Sequence, residues 1–592
     1  MHRCAAALRN SQAAPCANRL PALALAACAA LAGCQARTYV SATGNVSAQY
    51  AHVYVTAQAV WFNSSAGAGP QDAGWQEFPL STPETFDLAA LTSGTLTQFA
   101  TDLKLTAGTY NAARLVLTDS SAPLTASAQA LGALYNDEVD YYDSSGVLHQ
   151  LPLQIPNSAQ GIAVAMTLTV PLEAPSISST GTTTTGTTTT GTTTTGTSTT
   201  TTGTTTSTNT TSVTVNAAID FDASRDLTSV LISGQPGFLL SPRLTGYDES
   251  QSGTIQGTLD VTALPVSSTS GQFNVQVSAE NLSADGTRHV FVASAPVNSA
   301  GSFVLYPLPN PKTSNGLPVD YDLVIHGPGI ATVIVRSVPV AAGAPGSASS
   351  SQLNGVALVP ASTFTANLAA SPGTPLGVWV GFYQTLTGSG QVPYLIEQQA
   401  LDPFTGSFDT AQTLSSANIQ VGTYNTSGGV VTLANTAPAE GAATYHVAGS
   451  APVYGDGPFA STVAAPASGT APATFTLAAL LPPSGASAAS ASGTVSVARP
   501  GKYDKGELLL THNGSLVTAL PLDAFLTSSQ TTTTFASLPG GGASGSFASA
   551  LYEAEVWVWN SANPAGTFTR EPQTGTFDLR AGSASGLTIT VN

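Results

Sequence analysis

The chain has 592 residues, 33 Asp and Glu against 16 Lys and Arg, a formal net charge of −17 and only 8% charged residues. Its length predicts about three or four domains of roughly 100–200 residues each. An acidic chain this poor in basic residues excludes a phosphate-backbone partner, so no nucleic acid is expected, and it excludes an electrostatic grip on anionic lipid.

Polarity comes instead from Thr, Ser, Asn, Gln and the backbone of 56 Gly. The Glu, Lys and Arg that stabilise surface helices are scarce. The composition suits sheets with hydroxyl-rich faces, which predicts an all-β chain.

In chain order, Arg3, Arg9 and Arg19 come before or just ahead of an apolar run, LPALALAACAALAG at 20–33, which ends at Cys34. The run is shorter than the ~20 residues that span a bilayer. A basic start, a short apolar middle and small residues before a cut describe a secretory signal. Leu31-Ala32-Gly33-Cys34 resembles the lipobox of bacterial lipoprotein signals at every position. The resemblance implies a signal peptide over 1–33, cleavage before Cys34, and attachment to the membrane through lipid on Cys34. Gln35, where the inner-membrane retention rule has Asp, implies the outer membrane, on its periplasmic or surface face. Loss of a leader with three arginines and no acidic residue takes the net charge from −17 to −20. It also removes Cys4, Cys16 and Cys28, which leaves Cys34 for lipid and no thiol for a disulfide or a zinc site.

Residues 38–62 predict two strands, with Val53 and Val55 alternating with polar neighbours. FDLAAL (86–91), DLKLTAGTYNAARLVL (102–117), a D-x-x-G hairpin before LPLQIP (151–156), AVAMTLTVPL (163–172), AAIDFDASRDL (217–227) and GFLLSPRL (237–244) follow. The residues Phe86, Asp87, Leu88, Leu105, Gly108, Tyr110, Arg114, Leu115, Val170, Pro171, Asp220, Phe221, Asp222, Leu240 and Pro242 occur in the order of a bacterial lipoprotein domain of unknown function, family 4382. The resemblance covers roughly 38–250. It implies an all-β module and carries no catalytic residues across. Inside it lies a Thr/Gly-rich insertion at 178–212, with Gly181, Gly186, Gly191 and Gly196 every fifth residue. Nothing apolar in it offsets the entropy of ordering, so it predicts a disordered loop extruded from the sheet; a glycosylated or adhesive tether is the alternative.

A second module is expected over 251–340. Gly301, Phe303, Leu305, Leu308, Pro309, Tyr321, Leu323 and Ile325 make it similar to carboxypeptidase regulatory-like domains, which are transthyretin-like β-sandwiches. The inserted NPKTSNGLPVD (310–320) departs from that pattern. AAGAPGSASSSQ (341–352) predicts a linker. Residues 353–482 hold further strands, SGASAASASG (484–493) predicts a second linker, and 493–592 echoes the second module. FASLPGG (535–541) stands where FVLYPLP (303–309) stood, and YEAEVWVWN (552–560) where YDLVIHG (321–327) stood. The whole predicts tandem antiparallel β-sandwich domains, with three divergent repeats after residue 250.

Few residues suggest chemistry. His52, His149, His289, His326, His446 and His512 fall outside metal-ligand spacing of one another. Asp137, Glu138, Asp140 and Asp143 offer the oxygen ligands that calcium takes, but their spacing lacks D-x-D-x-D-G; a solvated hairpin is the plainer reading. Asp220 and Asp222 alternate in a strand and invite comparison with paired glycosidase carboxylates, with Arg225 or Arg243 as the structural partners. Trp557 and Trp559 share one side of a strand, as core or as a carbohydrate-facing strip. No GxSxG elbow and no phosphate loop are present. No cofactor is expected. The sequence predicts a lipid-anchored envelope protein that binds, adheres or builds, with an envelope polysaccharide or protein as partner. The rival is an enzyme or binding protein acting on polysaccharide.

Overall fold

The computed structural model describes residues 35–143, 145–172, 213–232, 235–264, 273–310, 319–346, 351–369, 375–386, 391–406, 412–429, 431–436, 443–460, 462–466, 472–527, 532–534, 538–542, 547–562 and 568–592. Cys34 and the 178–212 insertion lie outside them. The fold is all-β, and among the described residues no helix is long and apolar enough to cross a membrane.

The first module is a twelve-stranded sheet with a separate two-stranded one, Gly108–Tyr110 with Leu168–Val170, around one core. Val53, Val55, Ala57, Leu115, Leu117 and Phe221 are among its inward residues, as period-two alternation predicts. Its first strand, Gln35–Asn45, lies between Thr97–Thr106 (antiparallel) and Thr214–Asp222 (parallel). Gln35 is opposite Thr106, and Arg37 is opposite Thr214. Val170, the last residue of Leu168–Val170, is opposite Gly108. The chain therefore leaves the sheet for the Thr/Gly tract, and returns from it, at the corner where Gln35 begins.

Three sandwiches follow, and they share one topology. In each, the opening strand pairs antiparallel with a middle strand and parallel with the closing strand. In the second module Ser252–Asp260 lies between Ser302–Pro309 and Ser351–Ala357. In the third, Thr363–Ala369 lies between Gln412–Ser415 and Ala473–Thr476. In the fourth, Ala491–Val497 lies between Thr532–Thr534 and Ala584–Val591. The facing sheet repeats as well, centred on Gln276–Leu282, Trp379–Gln384 and Lys505–His512. A buried tyrosine marks the same place each time, second in its strand. Tyr321 donates to Pro309 O at 2.9 Å, Tyr445 to Ser415 O at 2.7 Å, and Tyr552 to Pro539 O at 2.6 Å. Each hydroxyl satisfies a carbonyl where the chain crosses between sheets.

The expected boundaries need correction. The stretch 341–352 does not separate modules, because Ala341–Ala342 and Ser351–Ala357 both pair with Ser252–Asp260. The second module closes with Leu353, Val356 and Leu358 in its core. Ile419–Thr423, from the third stretch, pairs in parallel with Val333–Pro339 and extends the second module's sheet. Strand pairing of the last module begins at Ser487, inside the expected 484–493 linker. Gly, Ala and Ser mark flexibility only where no sheet edge recruits them.

Buried ion pairs join the modules. Arg114 of the first meets Glu553 of the last at 2.9 Å, and both side chains are almost wholly buried. Arg570 meets Glu555 at 2.7 Å and donates to Ile155 O at 2.8 Å, while Glu555 accepts from Asn157 N at 2.7 Å. Between the first and third modules, Asp226 accepts from Arg243 at 2.8 Å and from Trp379 Nε1 at 3.0 Å. Desolvated charges are tolerated only in complete hydrogen-bond sets, so these contacts select one docking arrangement.

Candidate functional site: a polar cleft where three modules meet

The cleft has a volume of about 310 Å³ and is walled by the first three modules. Its floor is the strand Gln276–Leu282. Val277 and Ala279 point into the second core, so Gln276, Ser278 and Glu280 share the opposite face, toward the cleft. Pairing on both sides brings Phe291, Ser294 and His326 beside them.

The first module contributes Arg225, on the short helix Ala223–Asp226. Its Nε donates to Asp222 at 2.8 Å and its Nη1 to Gln398 at 2.9 Å, and the guanidinium carbon lies 3.0 Å from the centre of the Phe291 ring. Asn45 ends the first strand and donates to Gln276 Oε1 at 3.1 Å and to Ser224 at 3.1 Å. The third module contributes Tyr394–Ala400, from which Glu397 meets His326 Nδ1 at 3.1 Å.

Glu280 is the exception in this satisfied set. It is 1% exposed. Its Oε2 accepts from Leu395 N at 3.2 Å, and its Oε1 has no partner among the described residues. Burial holds its carboxyl well above the usual carboxylate range; Asp322 adds to the effect, and the Leu395 amide and Arg225 oppose it. A protonated carboxyl offers one O–H donor into the cleft. Arg225 is paired with Asp222, and Glu397 meets His326. The arrangement offers mainly hydrogen-bonding groups.

A larger gap of about 970 Å³ lies where the first, third and fourth modules meet, past Arg114, Arg243 and Trp379. Its arginines are already paired with Glu553 and Asp226.

The sequence candidates fall elsewhere. Asp137, Glu138 and Asp140 are buried, against the expectation of a solvated hairpin. Backbone amides take up the oxygens: Thr56 N donates to Asp137 at 2.9 Å, Leu134 N and Tyr135 N to Glu138 at 2.7 and 2.9 Å. Asp140 is pushed up to about 7 by burial and by the adjacent Glu138. Asp143 is set apart on the hairpin with His149 at 3.0 Å. Among the described residues no group of three or more His, Cys, Asp or Glu is placed to hold a metal ion.

Asp220 and Asp222 do not line the cleft. Asp222 is committed to Arg225, while Arg243 serves Asp226 instead. Asp220 is pushed up to about 7, by burial first and then by Asp222. Trp557 is 1% exposed and packs 4.8 Å from Phe568, ring centre to ring centre, in a cluster with Val230, Leu239, Leu509 and Leu516. Its ring has no open face for a sugar; Trp559 beside it is half-buried. Of the two readings, core and carbohydrate-facing strip, Trp557 takes the core one, because the first module's Val230 and Leu239 cover that side.

Gln276, Ser278 and Glu280 went unremarked in the sequence. Their signal is Q-V-S-A-E within a strand: polar residues on alternate positions, one of them a rare carboxylate in a chain with 8% charged residues.

The model of a family described as a domain of unknown function (DUF4382) matches residues 35–242. No curated protein matches the chain. Among solved structures, the shaft pilin SpaA of Lactobacillus rhamnosus GG is 13% identical, with 39% of this chain and 98% of the pilin covered, at a TM-score of 0.13. A streptococcal ancillary pilin is 9% identical, covering 58% of this chain and 99% of its own, at 0.13. A leucine-rich repeat protein from Bacteroides thetaiotaomicron is 9% identical at 0.14; 39% of this chain and 26% of that protein are covered. Scores this low carry no argument about fold or role.

Proposed function

We propose that this chain is a lipid-anchored protein of the bacterial outer membrane with a binding, adhesion or architectural role and no catalysis. Carboxypeptidase regulatory-like character of the second and fourth modules belongs to the same reading. The observation that carries it is the cleft: three modules build it, and contacts between them, Asn45 to Gln276, Arg225 to Gln398 and Glu397 with His326, hold the walls in place before any ligand arrives. A preformed polar concavity of this size is what a binding site requires.

Anchoring is tested with Cys34→Ser. Labelled palmitate should enter the natural chain and not the variant; equal labelling overturns the anchor. Binding is tested by immobilising the full chain and exposing it to envelope extract. Material should be retained, and lost with Glu280→Met. Retention equal to that of bare matrix overturns the role.

One observation favours an enzyme acting on polysaccharide: Glu280 and Glu397 line the same cleft. Paired carboxyls are the machinery of glycoside hydrolysis. Release of reducing ends by the natural chain, abolished in Glu397→Gln, would establish that reading in place of ours.

A further inference from the structure

We infer that the cleft takes a neutral saccharide unit, which accepts the hydrogen bond that Glu280 Oε1 does not make within the protein. This rests on the binding role proposed above and names the class of ligand.

The chemistry of the walls selects it. Amides from Gln49, Gln276 and Gln398 stand beside the hydroxyls of Ser47, Ser224 and Ser278. Such groups both donate and accept, as sugar hydroxyls do. An anionic ligand finds no unmatched cation, because Arg225 is already paired with Asp222. Leaving a buried carboxyl oxygen unpaired is costly, about 1–3 kcal/mol, and a ligand hydroxyl in the cleft would remove that cost. Asn45 Oδ1, buried at the edge of the same network, is a second polar atom without a partner among the described residues.

Extended peptides bind by adding to a free strand edge. The floor strand Gln276–Leu282 is paired on both sides, with His289–Pro296 and with Asp320–His326, and offers a guest its side chains. A peptide would have to use the wall strand Tyr394–Ala400, which among the described residues pairs with Trp379–Gln384 on one side only.

The assignment makes Glu280 a residue kept against stability. Glu280→Met replaces an unsatisfied buried carboxyl with an apolar group of similar length, so the variant should melt no lower than the natural chain and bind sugar at least tenfold more weakly. Glu280→Gln keeps a donor in the same place and should bind within about threefold of the natural chain. The probe is an array of neutral and acidic oligosaccharides, read with the full chain in detergent. Binding of a neutral oligosaccharide that follows this order of variants supports the assignment. No glycan bound, acidic glycans alone bound, or equal binding by Glu280→Met overturns it. A diazirine derivative of the bound oligosaccharide should label Gln276–Leu282 or Phe291 in the natural chain, and labelling elsewhere overturns the site whatever the variants do. Retention of envelope protein without glycan in the pull-down overturns the saccharide and leaves the binding role standing.

Discussion

Arg114 in the first module donates to Glu553 in the last, across 439 residues of sequence and 2.9 Å of space. Arg114 belongs to the segment that matches the domain-family model, and Glu553 does not. The half of the contact that lies in the matched segment is thus completed by a sandwich far downstream. Arg114 also donates to Gly161 O at 2.7 Å, so its geometry is fixed from both sides.

Removing one partner should hurt more than removing both. Arg114→Met strands Glu553 in the interior and is expected to cost about 3–5 kcal/mol in urea denaturation. The double variant Arg114→Met, Glu553→Met should recover most of that loss. Equal costs for the single and double variants would show that the pair is not coupled.

The three repeated tyrosines should be energetically alike. Tyr321→Phe, Tyr445→Phe and Tyr552→Phe each leave a buried carbonyl without its donor, for a loss of about 0.5–1.5 kcal/mol apiece. Melting of the three variants checks this. A variant that melts with the natural chain would remove its module from the repeat.

Stability should fall as pH rises. Glu280 and Asp137 are held well above the carboxylate range by burial, and Asp140 and Asp220 at about 7. Their folded pKa lies above the unfolded one, so the folded state keeps protons that the unfolded state releases. The cost of ionising them in the fold is absent below about pH 4 and grows as pH rises toward the folded values, by at most about 1.4 kcal/mol per pH unit per group. Asp285 works the other way: hydrogen bonds from Ser283 and Thr287 lower it to about 2, so its contribution is lost only in stronger acid. The chain should therefore melt higher at pH 5 than at pH 8, and Glu280→Met should flatten the slope. A melting temperature that climbs from pH 5 to 8 would contradict the buried carboxyls.

Deleting 179–211 should leave the fold intact. The flanking strands end at Val170 and resume at Thr214, on the same corner of the sheet. Shortening the connection about fourfold lowers closure entropy by roughly 1 kcal/mol in favour of folding. A loss of several kcal/mol in the deletion variant would mean that the tract packs against the domain.

The all-β class was legible because alternation and a near-absence of long charged side chains act locally. Val53, Val55, Phe303, Leu305 and Leu323 lie in cores, as their periodicity implies. The third sandwich was hard to see because Tyr445 lies in ATYHVAG, without the Leu-Pro signature ahead of it that precedes Tyr321. Its equivalence lives in strand pairing and in one hydrogen bond. The cleft was missed for a related reason. Polar residues on alternate strand positions are ordinarily taken to face water. Here Ser278 and Glu280 are buried, because other modules cover that face. Which module covers which face is a long-range property, as Asp226 with Trp379 and Arg114 with Glu553 illustrate.

The first strand joins two places of different character. Gln35 begins it beside the proposed lipid, and Asn45 ends it with its amide on Gln276 at the cleft. Ten steps of about 3.3 Å separate the two ends by roughly 33 Å. If Cys34 carries the lipid proposed above, this strand would act as a strut whose length limits how far the cleft can stand from the bilayer. Standing upright, the strut exceeds the physiological screening length of about 8 Å roughly fourfold. The cleft would then sample bulk ionic conditions whatever the surface potential of the leaflet.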